Sequence, residues 1–215
     1  MGVVLLLLAL LAAGVALLAL QRRRQRTRLR PASPTLFTLA LGDLVQFDGR
    51  DWVVENRLAY DEDGFSWLEY LLQDGTEQGW LSVEEDDWLE LGWFQPVRER
   101  DALASLPPLR TGVALPPTLR WRGRDYSLCG HGRASLVASL RALPQARETC
   151  RYGDYEAADG SLLALELWEG GAAGRGGELE PELAEGRRLD PSLLTLLPGD
   201  GRSVYRGETA PLPGP

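Results

Sequence analysis

Between Leu41 and Val97 the chain is broken at regular intervals by turn-forming clusters, and this spacing sets what it can fold into. The clusters are Asp48–Gly49, Asp61–Gly64, Asp74–Gly75 and Glu84–Asp87, recurring every 10–15 residues. Asp and Gly reach the positive backbone angles that tight hairpins need. The runs between them are rich in Val, Trp, Tyr, Phe and Leu, which suit a pleated, half-buried surface. Over Asp51–Leu58, Trp52 and Val54 share one face, with Val53 and Glu55 opposite. Over Phe65–Leu72, the set Phe65, Trp67, Glu69, Leu71 alternates with Ser66, Leu68, Tyr70, Leu72. Further strands are predicted at Trp80–Val83, Trp88–Leu91 and Trp93–Val97. Short strands with such turns imply an antiparallel meander or small barrel.

Arg98–Pro117 holds four prolines and reads as a linker or long loop. Strand signals resume at Thr118–Arg122, Asp125–Cys129, Ala134–Leu140, Thr149–Glu156 and Ser161–Glu169, with a short helix as the alternative for Ala134–Leu140. Asp190–Pro191 is a helix-start signal, predicting a short helix over Pro191–Leu197. Residues 199–215 are polar and rich in Gly and Pro, and are expected to be disordered.

The two strand-rich stretches echo one another. Gly49-Arg-Asp-Trp52 matches Gly123-Arg-Asp-Tyr126, and Tyr70-Leu-Leu-Gln-Asp-Gly75 matches Tyr155-Glu-Ala-Ala-Asp-Gly160. Leu81-Ser-Val-Glu84 resembles Leu163-Ala-Leu-Glu166 in the same order. The expected fold is therefore mainly β, with two related meander or small-barrel units packed together, at 36–97 and 118–198, joined by the linker 98–117.

Ahead of them, Gly2–Leu20 is a run of 19 uncharged residues. At about 1.5 Å per helical residue it matches a bilayer's hydrocarbon thickness, so residues 1–21 are expected to be one transmembrane helix. Arg22, Arg23, Arg24, Arg26, Arg28 and Arg30 follow it, in an Arg/Pro-rich linker over 22–35. Basic flanks stay in the cytoplasm, which predicts a single-pass protein of a bacterial cell membrane, its N-terminus outside and its C-terminal domain cytoplasmic. Membrane lipid is the expected partner of that helix.

Beyond the six flanking arginines, 17 arginines face 31 acids, a net −14 for residues 36–215. Such a domain is repelled by nucleic acid, which is excluded as a partner. Every basic residue is arginine, and Asn56 is the sole asparagine. The two cysteines, Cys129 and Cys150, are expected to be reduced in a cytoplasmic domain, and are the disulfide candidates if the domain lies outside.

Asp43 to Trp88, with Trp67-Leu-Glu-Tyr70 and Trp80-Leu-Ser82, resembles the bacterial family catalogued as domain of unknown function 4178. The Gly130–Ala134 and Tyr152–Trp168 stretches fit the same pattern, and the resemblance covers roughly residues 40–185. It transfers no catalytic residues. The tendency of the family's genes to lie near membrane-stress and polyamine-synthesis genes implies an envelope-associated role.

No motif calls for a cofactor. Cys129, His131 and Cys150 are weak candidates for a metal site, but paired ligand spacing is missing, and Gly130 and Gly132 suggest a turn there. Asp61–Gly64 lacks the later ligands of a calcium loop. The glycines of 170–177 lack a phosphate-loop pattern. Trp67, Tyr70 and Trp80, together with Glu84, Glu85, Asp86 and Asp87, are candidates for binding a partner, with a packed core and a solvated turn as the plainer roles. The expected function is a non-catalytic interaction module holding a protein partner. The alternative is a ligand sensor or enzyme with its site between the two halves near His131.

Overall fold

Each hairpin marked by a turn cluster forms. The computed structural model describes residues 33–98, 106, 109, 113–141, 149–169 and 181–202. These contain eleven strands: β1 (Leu44–Phe47), β2 (Arg50–Glu62), β3 (Phe65–Asp74), β4 (Glu77–Glu85), β5 (Leu89–Pro96), β6 (Thr118–Trp121), β7 (Arg124–Ser139), β8 (Thr149–Ala157), β9 (Leu162–Glu169), β10 (Pro181–Leu189) and β11 (Thr195–Leu197). The paired strands are antiparallel, in the order β11-β1-β2-β3-β4-β5-β10-β9-β8-β7-β6, and β2 also pairs with β7.

The β2–β7 pairing closes eight strands into a barrel: β2, β3, β4, β5, β10, β9, β8 and β7. This corrects the expectation of two related β units packed together: strands of both halves form one closed sheet. The reason lies in strand length. β2 has 13 residues and β7 has 16, so each serves two neighbours on one edge. Arg50–Val53 of β2 pairs with β1, while Leu58–Asp61 pairs with β7. Arg124–Ser127 of β7 pairs with β6, and its far end pairs with β2. Mutual pairing satisfies backbone groups that two separate units would leave on open edges.

A bulge between Val54 and Asn56 reverses the alternation of β2. Trp52 and Val54 face a first core with Phe47, Tyr70, Leu81 and Trp93. Beyond the bulge, Leu58 and Tyr60 face the opposite way, into a third cluster with Ala134, Trp67, Trp80, Tyr152 and Trp168. A second core gathers Leu119, Trp121, Tyr126, Tyr155, Leu163 and Leu165. The third cluster lies inside the barrel: Trp67 of β3 reaches Tyr152 of β8 at 5.6 Å although β2 and β7 separate their strands. The first two cores pack on the outer face of the same strands.

The echoed segments occupy matching places. Gly49 and Gly123 turn at φ 73° and 80°, each just before a long strand. Arg50 pairs with Asp74 at 2.7 Å, and Arg124 with Asp159 at 3.2 Å. Tyr70 donates its hydroxyl to Leu36 O at 2.7 Å, and Tyr155 to Pro116 O at 3.0 Å.

Several local expectations are corrected. The segments Trp88–Leu91 and Trp93–Val97 merge into β5, and Asp125–Cys129 and Ala134–Leu140 into β7. The predicted helix over Pro191–Leu197 is a 3-10 turn at Pro191–Leu193, where Asp190 accepts from Ser192 N at 2.8 Å, followed by β11. Within the Pro-rich linker, Leu109 is buried in the second core.

Among the described residues no helix is long and apolar enough to cross a membrane. The expected fold is corrected to a mainly β barrel over the described residues, and none of them supplies the transmembrane helix on which the membrane localisation rested. The expected span at 1–21 and the arginines from Arg22 to Arg30 lie outside the described residues. So does most of the tail expected to be disordered, beyond Arg202.

Candidate functional site

The inner face of the barrel carries acids and aromatic rings together. Alternation from the turn clusters puts Trp67 and Glu69 of β3 on this face, and register carries it to Trp80, Ser82 and Glu84 of β4. Glu90 of β5 lies opposite Glu84. From the other half, Tyr152 and Asp154 of β8 pair with Gly132 and Gly130 of β7. Those two glycines lie within β7, which runs through His131 without a turn. A Cβ on Gly132 would meet the Glu62 carboxylate, and one on Gly130 would come within 3.2 Å of Asp154 Oδ2. Both glycines make room for acids.

Hydrogen bonds fix part of this set. Glu62 accepts from the Tyr152 hydroxyl at 2.6 Å and from Arg133 N at 2.7 Å. The Trp67 indole N–H donates to Glu69 at 3.3 Å, and Ser82 donates to Glu84 at 3.0 Å. Tyr60 stacks on Trp67 at 5.1 Å. Its hydroxyl is buried and stands beside the Glu69 carboxylate.

The acids hold protons more tightly than usual. Burial raises Glu69 from 4.5 to about 7, opposed by the Trp67 N–H and the Tyr60 hydroxyl and reinforced by the charges of Glu84 and Asp154. Burial likewise raises Asp154 from 3.8 to about 7, reinforced by Glu84 and Glu62. Glu84 is raised by burial, with Ser82 opposing and Glu90 adding. Burial pushes the Tyr60 hydroxyl far above its ordinary range, with Glu69 and Glu166 adding to it.

Glu84 also borders an open cleft of about 150 Å³, lined by Phe65, Asp86, Asp87, Trp88 and Glu90. Trp88 is 67% exposed, and its indole N–H is held by Glu90 at 2.5 Å. This is the mouth of the barrel at the β4–β5 hairpin.

The sequence candidates divide accordingly. Trp67, Trp80 and Glu84 face inward, and Asp86 and Asp87 line the mouth. Glu85 is exposed at the end of β4. Tyr70 is fully buried in the first core, where burial raises its hydroxyl to about 12. Cys129 is the extra residue of a bulge, its thiol donating to Asp154 O at 3.2 Å, while His131 is exposed on the strand. Cys150 is buried opposite Ala134. Both cysteines are free. These three residues do not converge, and among the described residues no group of three or more His, Cys, Asp or Glu side chains is arranged to hold a metal ion. Reading by residue type missed Tyr60, Glu62, Glu69 and Asp154 as one set. The signal available was glycine opposite acid, which becomes visible once β7 and β8 are in register.

The model of the family described as Domain of unknown function (DUF4178) matches residues 40–191, from just before β1 to the start of the 3-10 turn. The chain belongs to this family. A relative named "Uncharacterized protein" from Aquifex aeolicus is 24% identical over 168 residues, covering 77% of this chain and 86% of the relative. Uncharacterised proteins from Mycobacterium bovis and Mycobacterium tuberculosis are each 33% identical over 96 residues, covering 39% of this chain and 47% of their own length. No solved structure matches.

Proposed function

We propose that this DUF4178 domain is a non-catalytic interaction module that receives a basic segment of a protein partner at the mouth of its barrel. The observation that carries the reading is the cleft itself. Glu84, Asp86, Asp87 and Glu90 surround it, while Phe65 and Trp88 offer aromatic surface to the stem of a basic side chain. Acids placed around an open mouth steer cationic partners and set their register. The notably exposed Trp88 is the kind of aromatic anchor that binding surfaces use.

The test is calorimetric titration of the full chain with a short peptide of alternating Gly and Lys. Binding is expected, weakening as salt screens the mouth. It should be lost when Glu84, Asp86, Asp87 and Glu90 are all replaced by their amides. Binding that survives those replacements, or none to the folded wild type, rejects the reading.

A further inference from the structure

We propose that the outer edge of β6 is a docking site for an extended apolar segment of a protein partner, added to the sheet as one more antiparallel strand. The edge shares no residue with the acidic cleft and does not depend on it.

The internal repeat supplies a template. Setting Gly49 on Gly123 places β1 on β6 residue for residue: Leu44 on Thr118, Val45 on Leu119, Gln46 on Arg120 and Phe47 on Trp121. The fold keeps this correspondence. Val45 and Phe47 are buried in the first core, Leu119 and Trp121 in the second. Val45 pairs with Trp52, and Leu119 with Tyr126. Val54 N donates to Asp43 O at 2.8 Å, and Leu128 N to Pro117 O at 2.9 Å, again at equivalent places. In one respect the halves differ. β11 covers the outer edge of β1, with Thr195 opposite Gln46, Leu196 opposite Val45 and Leu197 opposite Leu44. β6 ends the sheet: among the described residues only β7 pairs with it.

The edge offers what an added strand needs. Along an antiparallel strand, backbone groups alternate between the neighbours on its two sides. Pro117 O is bonded towards β7, so Leu119 and Trp121 also turn their N–H and C=O to β7, while Thr118 and Arg120 turn theirs outward. The Arg120 guanidinium is held across the hairpin by Asp125 at 2.9 Å rather than over this edge. Leu106 and Leu109 of the linker pack against the second core, yet no described residue pairs with the edge. A row of unpaired backbone groups is a template for another chain.

The chemistry of the occupant is read from β11. Leu196 packs against the first core beside Val45, while Thr195 and Leu197 are exposed. A segment on β6 in the same register sets an apolar side chain beside Leu119, over the second core. Its flanking residues exchange backbone hydrogen bonds with Thr118 and Arg120. β6 has four residues, bounded by Pro117 on one side and the Arg122–Gly123 turn on the other, so the paired stretch of the partner is equally short.

The experiment adds a synthetic peptide with the sequence Ser192–Pro198, Ser-Leu-Leu-Thr-Leu-Leu-Pro, to the full chain and follows amide hydrogen exchange by nuclear magnetic resonance. In the chain alone the amides of Thr118 and Arg120 are expected to exchange fast, and those of Leu119 and Trp121 slowly. The peptide should slow Thr118 and Arg120 by about tenfold or more. Thr118→Pro and Arg120→Pro each remove one outward N–H and leave the bonds to β7 in place. Each is expected to weaken peptide binding about tenfold while Leu119 and Trp121 stay protected. A peptide carrying Thr195→Pro should leave the two amides fast. Slow exchange of Thr118 and Arg120 in the chain alone overturns the proposal, because the linker or a second copy then already covers the edge. So does a folded chain in which those amides ignore the peptide. Peptide binding that survives both proline variants also overturns it, and marks strand exchange at β1 instead. The acidic cleft is tested with a different peptide, so its reading stands or falls separately.

Discussion

Asn56 accepts the backbone N–H of Arg141 at 3.0 Å, tying β2 to the end of β7 where the barrel closes. The same oxygen accepts from Arg57 N at 2.9 Å, and the neighbouring Glu55 is paired with the Arg141 guanidinium at 2.7 Å. The side chain acts at the β2 bulge, where the ladder cannot satisfy every group. Asn56→Ala leaves two N–H donors without this acceptor. The expected cost is about 1–3 kcal/mol, read as a lower urea midpoint with an unchanged slope. A variant as stable as the wild type rejects this account of the seam.

Tyr70 and Tyr155 stand in matching positions in separate cores, each donating to a carbonyl of a covering segment. Tyr70→Phe and Tyr155→Phe should each cost about 1 kcal/mol. Because the two sites share no partner, the double variant should show the sum. Strong non-additivity in denaturant unfolding contradicts their independence.

Glu69 and Asp154 give the fold a pH dependence of unusual sign. The unfolded chain releases these protons near 4.5 and 3.8, while the folded chain keeps them to about 7. Folded protein thus binds more protons across that window. Stability falls as pH rises through it, and the loss is complete above about 7. Glu69→Gln with Asp154→Asn should raise stability by on the order of 1–3 kcal/mol at pH 8 and leave it nearly unchanged at pH 4. Thermal melts at the two pH values decide this; an equal shift at both shows that the burial of these acids is not its source.

Gly132→Ala places a methyl group against the Glu62 carboxylate, which must swing away from Tyr152 and Arg133. The expected loss is about 1–3 kcal/mol, and Glu62→Gln, which keeps an acceptor oxygen, should be milder. Chemical denaturation of both variants checks the order.

The two thiols should differ in access. Cys129 is exposed and Cys150 is buried, and burial raises both, Cys150 far more. A thiol reagent should modify about one cysteine in the native protein and both in urea. Two rapid modifications of the native chain place Cys150 outside the barrel wall.

The sequence determined what is local. Asp48–Gly49, Asp61–Gly64 and Asp74–Gly75 fix hairpins because their backbone angles are set by the residues themselves: Asp48 and Asp63 adopt φ 56° and 52°, and Gly49, Gly64 and Gly75 are also positive. Alternation assigned Trp52 and Val54 one face and Trp67 and Glu69 another, and the echo between the halves was legible because turn and capping residues recur in order. The resemblance to the family was carried by local motifs, Trp67-Leu-Glu-Tyr70 and Trp80-Leu-Ser82, and the family model over residues 40–191 bears it out. The tertiary structure decided the rest. Whether β2 pairs with β7 depends on contacts between residues some 80 apart, which no local pattern encodes. The missed β10 carries little alternation and is a strand because β5 and β9 pair on its two sides. The acid set assembles only when the closed barrel brings β2, β3, β4 and β8 face to face. Its unusual proton affinity comes from the burial and mutual repulsion that this closure imposes.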